Sequence, residues 1–247
     1  MTDSREHAHH VADESSEYLT THDDEHEMHH DHQAPEHVHE MEHQHHEHDH
    51  HDHDSEPVDY ADAVEAFRRD KDEFFKTGAR SPVPVDQRAS FEGIPYFAVD
   101  EALRFEDLTL QPYTGSEPSH FQIPTSDGQL RPAHRAGTFE FELDGETRRL
   151  TGYVLDGGDD DGEDTDEVDS VFVPFIDATS GHETYGAGRY LDLEAEPDGS
   201  YALDFNLAYH PYCVYAPTYS CPLTPAENRL PIRIEAGERL PAEAPTA

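Results

Sequence analysis

From residue 91 onward the apolar positions fall at every second residue in short runs, each broken by Pro or Gly. A period of two puts alternate side chains on opposite faces of an extended chain, so these runs predict strands with one buried face. FEGIPYFAV, ALRFEDLTL and SHFQIPT open the series. TFEFELDGETRRLTGYVL is the clearest hairpin, because Phe139, Phe141 and Leu143 alternate with polar neighbours and Asp144-Gly145 supplies a two-residue turn. SVFVPFI reads as a buried strand, AGRYLDLEA as an alternating one and EPDGSYALDFN as a turn leading into another; LPIRIEA closes the set.

Ahead of the strands the period changes. Tyr60, Val64, Phe67, Phe74 and Phe75 mark one face at helical spacing. They predict an amphipathic helix over 57–78, with Pro57 in the first turn, Lys76 in the last and Gly78 as the stop. About eight or nine short strands follow with no helical run between them, which argues against a parallel α/β sheet. The expectation is a mainly β domain over 57–242: an antiparallel closed or nearly closed barrel with one leading helix, or alternatively a sandwich. Residues 243–247 form a short C-terminal tail.

Charge changes the picture of the environment. The chain carries 56 acidic and 16 basic residues, for a net charge of -40, and Lys71 and Lys76 are its only lysines. Such self-repulsion opposes compaction in dilute buffer, whereas molar salt shortens the screening length to about 3 Å. Arginine also keeps bidentate partners where water activity is low. The composition therefore points to a halophilic cytoplasm. It disfavours nucleic acid as a partner, since phosphate binding needs a basic face. No apolar run approaches the roughly 18 residues of a membrane span. The opening MTDSREHAHH lacks the basic-then-apolar pattern of a signal peptide, so a cytoplasmic location is expected. The acidic run at 156–169 fits no EF-hand placement and reads as a solvated insertion.

Residues 1–56 are of another kind. They hold seventeen of the 21 histidines among acidic neighbours and almost no large apolar side chains, so a disordered tail is predicted. Imidazole suits Zn, Ni, Cu and Co, and carboxylates can complete a shell. His37, His39, His43, His45, His46, His48, His50, His51 and His53 are the candidate ligands, seven of them between 43 and 53. Zn or Ni is the expected ion, held at several exchangeable sites because ordering the chain costs entropy. A solvated polyampholyte that loses negative charge near pH 6.5 is the alternative.

The densest chemistry in the folded part lies between 169 and 240. Asp177, Thr179 and Ser180 suit a fixed turn closed by an Asx-type bond. Glu183, Tyr185, Arg189, Asn206, Tyr209 and Tyr212 combine planar aromatic surface with polar groups, the usual make-up of a ligand pocket. Arg189 either pairs with Glu183 or grips a ligand anion. Asp204 and Asn206 alternate with Leu203 and Phe205, so as a strand they share the face opposite the apolar pair. Cys213 and Cys221 are too few to staple the fold and lack zinc spacing; they are either bridged or two reduced thiols. Cys213 with His210 invites a nucleophile reading, though no oxyanion-hole motif accompanies them.

The runs FIDATSGHETYGAGRYLDL, LDFNLAYHPYC and YSCPLTPAENRLPIRIEAGE resemble the family known as domain of unknown function 1684, as do EFFKTG, FEGIPYF and IPTSDGQLRPAHRAGTFEFELDG. The resemblance covers roughly residues 60–240, implies a shared fold and implies no activity. It carries one departure: the family usually has Asn where His210 stands before Pro-Tyr-Cys.

Together these features describe a non-enzymatic β-barrel protein that binds an unknown small molecule or protein, with a tail that binds divalent transition metals for buffering or delivery. The alternative is a hydrolase-like enzyme using residues 177–229. The acidic excess predicts unfolding in dilute buffer and refolding in molar salt. A β-type circular dichroism spectrum unchanged down to about 0.1 M salt, where screening still reaches about 10 Å, would refute the halophilic reading.

Overall fold

The computed structural model describes residues 59–155 and 170–241. The histidine-rich tail with all nine candidate metal ligands, the acidic run at 156–169 and the C-terminal tail lie outside the described residues.

Helix α1 (Tyr60–Thr77) starts where the Asp59 carboxylate accepts from the amides of Ala61 and Asp62, and Gly78 caps its end. Its docked face differs from the expected one. Val64, Arg68 and Phe75 are buried, whereas Phe67 and Phe74 are 48% and 38% exposed. The helix is turned so that the Arg68 guanidinium reaches the carbonyls of Phe97 (3.0 Å) and Asn206 (3.4 Å) while lying over the Tyr96 ring. A buried cation with carbonyl partners thus sets the rotation, which apolar periodicity alone could not reveal.

Seven strands follow among the described residues: β1 (Arg104–Leu108), β2 (His120–Pro124), β3 (Leu130–Leu143), β4 (Glu146–Leu155), β5 (Ser170–Phe175), β6 (Arg189–Glu194) and β7 (Tyr201–Asp204). The β3–β4 hairpin is as the pattern predicted. Leu143 pairs with Glu146, and both Asp144 (φ 57°) and Gly145 (φ 72°) adopt the left-handed conformation that a two-residue turn of this twist needs.

All named pairings are antiparallel. They form an open five-stranded sheet in the order β2-β3-β4-β5-β6 and a two-stranded sheet β1-β7. No sheet closes on itself among the described residues. Single bridges, Ala195 to Tyr201 and Gln111 to Thr138, link the small sheet to the end of β6 and to β3. The ladder breaks where the backbone leaves register: β1 shifts between Phe105 and Leu108, with Asp107 at φ 55°, and β3 shifts between Arg135 and Gly137. Mainly β with one helix holds; continuous closure does not appear.

The main core lies between the sheets. Phe205 is its centre, with ring centroids 5.1, 5.8 and 6.2 Å from Phe175, Phe141 and Phe105. A smaller cluster of Phe75, Val83 and Ile94 seats the helix. Two expected strands are absent as such. FEGIPYFAV contributes only the bridge of Tyr96 to Glu238. LPIRIEA runs irregularly: its first half bonds the backbone of Ile176 and Ala178, whereas the carbonyls of Ile234 and Ala236 are claimed by a side chain.

That side chain is Arg189, fully buried at the start of β6. Its guanidinium donates to the carbonyls of Ala236, Ile234 (2.8 Å) and Glu238 (3.3 Å), with Asp177 Oδ1 at 3.4 Å. Asp177 meanwhile closes the expected Asx turn on Thr179 and accepts the Ile234 amide at 2.8 Å. Gly188 (φ 108°) makes this possible, since a Cβ there would come within 2.5 Å of the Phe175 carbonyl.

Candidate functional site

Just beyond the segment held by Arg189, Gly237 (φ 74°) turns the chain where a Cβ would meet the Ala208 carbonyl at 2.5 Å. The turn delivers Glu238 inward, 1% exposed. Its Oε2 accepts from the His210 amide at 2.7 Å and from the Tyr215 hydroxyl at 3.2 Å. Oε1 accepts no hydrogen bond of good geometry; its partner is the Lys71 ammonium at 2.7 Å. That ammonium also lies over the rings of Tyr209 (4.8 Å) and Phe75 (5.6 Å). A buried carboxylate tolerates its desolvation only with such a full set of partners.

His210 completes the cluster as a neutral group. The Tyr185 amide donates to its Nε2 at 3.2 Å, so the ring proton sits on Nδ1, 3.4 Å from Glu238 Oε2. Burial, reinforced by the positive charges of Arg189 and Lys71, lowers its pKa to about 3. The His210–Glu238 contact is therefore imidazole to carboxylate rather than an ion pair at neutral pH. Burial first, then the charge of Glu238, raises the Tyr215 hydroxyl well above its usual pKa, which keeps it a donor.

Beside this cluster opens a cleft of about 700 Å³. Val83, Phe91 and Ile94 supply apolar surface from the 83–95 segment, and Tyr215 and Leu240 supply it from the C-terminal part. Polar groups converge on the same space: Asp72, Gln87, Ser90, Glu92, His210 and Arg239. Asp72 is held above its ordinary pKa by burial, opposed by the Ile94 amide at 2.9 Å and the Lys71 charge.

None of the six residues singled out from sequence lines this cleft. Glu183 lies at the surface paired with Arg233, and with Arg239 at 3.6 Å, so the expected Glu183–Arg189 pair is not formed. Arg189 is buried in the contacts described above. Asn206 is 1% exposed and ties three segments together. It donates to Asp204, Asp100 and Tyr60 and accepts the Asp100 amide at 2.8 Å. The alternation expected of 203–206 fails because β7 ends at Asp204 and a 3-10 turn, Phe205–Leu207, follows; both polar groups are buried. The Tyr209 hydroxyl donates to Asp192 at 2.6 Å, and Tyr212 packs edge-on against Phe75 and Tyr219. Tyr185 lies against the thiols. Cys213 touches Cys221, Ser126 and Tyr185, while both ring nitrogens of His210 face other groups, so the pair lacks the geometry of nucleophile and base.

Sequence reading missed Lys71, Glu238 and the cleft's rim. One signal for Lys71 was present: in a chain with two lysines, it falls on the buried stripe between Val64 and Phe75. Glu238 carried none, as a single acid in an irregular run.

A family model described as Protein of unknown function (DUF1684) matches residues 89–239. The solution NMR structure of an uncharacterized protein from Haloarcula marismortui is 37% identical, with a TM-score of 0.53, covering 73% of this chain and 94% of that one. No curated protein matches.

Because its folded pKa lies near 3 and its unfolded pKa near 6.5, His210 contributes stability that is complete above about pH 6.5 and lost as pH falls through that window. An amide at this position offers the same donor and acceptor without titrating. The His210→Asn variant is expected to lose stability less steeply between about pH 6 and pH 4, by at most about 1.4 kcal/mol per pH unit. Urea unfolding of both proteins across that range checks it, and parallel curves would refute it.

Proposed function

We propose that this chain, which belongs to the family of proteins of unknown function DUF1684, is a non-enzymatic cytoplasmic protein that binds a small molecule in the cleft between 83–95 and 210–241. The carrying observation is the cleft itself: about 700 Å³, lined in near-equal measure by apolar and polar groups. Ligand sites usually measure about 300–1,000 Å³. In this reading the two sheets, joined by their single bridges, act as a nearly closed barrel beside which the segments that line the cleft are packed. His210, held from behind by Glu238, is the fixed polar group of the cleft, and Asp72 and Arg239 orient a ligand that carries both an apolar part and a polar head.

The hydrolase reading is less well supported, because His210 is neutral, buried and committed at both nitrogens. Native mass spectrometry of protein purified from its host, with thermal shifts against a metabolite library, tests the binding proposal. Ser90 is exposed at the rim, so Ser90→Trp should fill the mouth while leaving the core intact. Loss of the bound species, or an affinity drop of at least about tenfold in that variant, is the expected result. A wild-type chain that carries no small molecule and shifts with no compound would end this reading.

The histidine pattern from His37 to His53 supports a separate capacity for divalent transition metals such as Zn or Ni, for buffering or delivery. It is independent of the cleft: among the described residues no group of three or more His, Cys, Asp or Glu is placed to hold a metal ion. Calorimetry with Zn(II) or Ni(II) should show more than one ion per chain at about pH 7.5, largely lost at about pH 5.5 as imidazoles protonate. A single tight site that survives removal of residues 1–54 would place the metal elsewhere.

A further inference from the structure

The two cysteines of the chain meet in space although residues 214–220 separate them. Cys221 is anchored against the turn that follows β2. Its amide donates to Ser126 Oγ at 3.1 Å, its carbonyl accepts the Ser126 amide at 2.8 Å, and Ser220 holds Asp127 at 2.9 Å. Cys213 sits in the 3-10 turn Tyr212–Val214, and its amide donates to Cys221 Sγ at 3.3 Å. Ser126 and Tyr185 are the other polar neighbours of the Cys213 thiol. Both cysteines are reduced; Cys221 is buried and Cys213 half-buried.

This surrounding is asymmetric. Cys213 is half-buried and Cys221 buried, so Cys213 is the sulfur that a small disulfide can reach. Its thiol is also lowered in pKa by Cys221, Ser126 and Tyr185 against the opposing effect of burial. Cys221 is the more deeply buried sulfur and is shifted upward by its contact with Cys213 and by burial, although its Sγ accepts the Cys213 amide. A metal clasp lacks further ligands, as no third His, Cys, Asp or Glu joins the pair among the described residues.

We propose that Cys213 and Cys221 form a reversible dithiol–disulfide couple that exchanges with low-molecular-weight disulfides, Cys213 attacking and Cys221 resolving. In the first step the Cys213 thiolate attacks one sulfur of the small disulfide. A mixed disulfide forms, the small S–S bond breaks and one small thiolate leaves. In the second step Cys221 gives up its proton to a departing thiolate and attacks Cys213 Sγ, and the second small thiol leaves. One small disulfide is reduced to two thiols as the protein dithiol is oxidised to one disulfide. The inference does not rest on the cleft's having a ligand.

The test is exposure of the full chain, folded in molar salt, to oxidised glutathione, followed by acid quenching, alkylation and peptide mass mapping. With only two cysteines in the chain, any intramolecular bridge is this one. Loss of both free thiols into a Cys213–Cys221 link without dimerisation, reversed by dithiothreitol, is expected. Cys221→Ser should trap glutathione on Cys213, while Cys213→Ser should react at least about tenfold more slowly. Wild-type thiols that stay alkylatable in the folded chain but oxidise once unfolded in urea would overturn the proposal. So would bridging only between chains, or faster reaction at Cys221 than at Cys213. If either Ser variant fails to fold, the wild-type link alone decides whether the couple exists.

Discussion

The buried guanidinium of Arg189 is the interaction on which the C-terminal third of the chain depends. An uncompensated charge in a core is costly, and its two terminal nitrogens find the carbonyls of Ile234, Ala236 and Glu238 as acceptors. The cost of burial lowers its pKa, against which Asp177 and Glu238 act. One donor, Nε, is left without a partner, between the rings of Phe175 and Phe97. The consequence is architectural: a segment with strand-like alternation is held as an irregular strap across the end of β6. Asn228 extends the same device. It is fully buried and bonds the backbone of Thr151 and Pro174, so an amide side chain stitches the strap to β4 and β5.

The strap's position in turn places Glu238, and through it His210 beside the cleft. Helix α1 is secured to the same centre by Lys71, and at its other end by Tyr60, whose hydroxyl donates to Asp204 at 2.6 Å. In a chain with so large an acidic excess, the buried acids are the ones with the fullest partner sets. Surface acids need only salt and water, whereas Glu238 and Asp177 would each lose several backbone and cationic contacts if moved.

Much of this fold was legible in the sequence where its cause is local. The β3–β4 hairpin follows from alternation plus Asp144-Gly145, and the Asp177 turn from the short-range bonding habit of aspartate. The stop of helix α1 before Gly78 was legible as well, whereas its start at Tyr60, behind the Asp59 cap, falls three residues beyond the expected 57. The docked face of that helix was not legible. Nothing near Arg68 in the chain announces the carbonyls of Phe97 and Asn206 that turn it inward. The site was read least well, since Glu183, Arg189 and Asn206 look alike in sequence as polar groups among aromatics. In space one is at the surface and two are buried fasteners.

The sequence by itself determined most of the extended segments, the helix, the tight turn, the acidic composition and the family, because each depends on neighbours in the chain or on composition. Only the tertiary structure decided which polar side chains are buried and whom they serve: Arg189 with a strap rather than Glu183, His210 as a neutral bridge rather than a base, Cys213 against Cys221 and Tyr185. Burial and hydrogen-bond satisfaction are set by groups tens of residues apart, and a pattern read along one dimension does not contain their meeting.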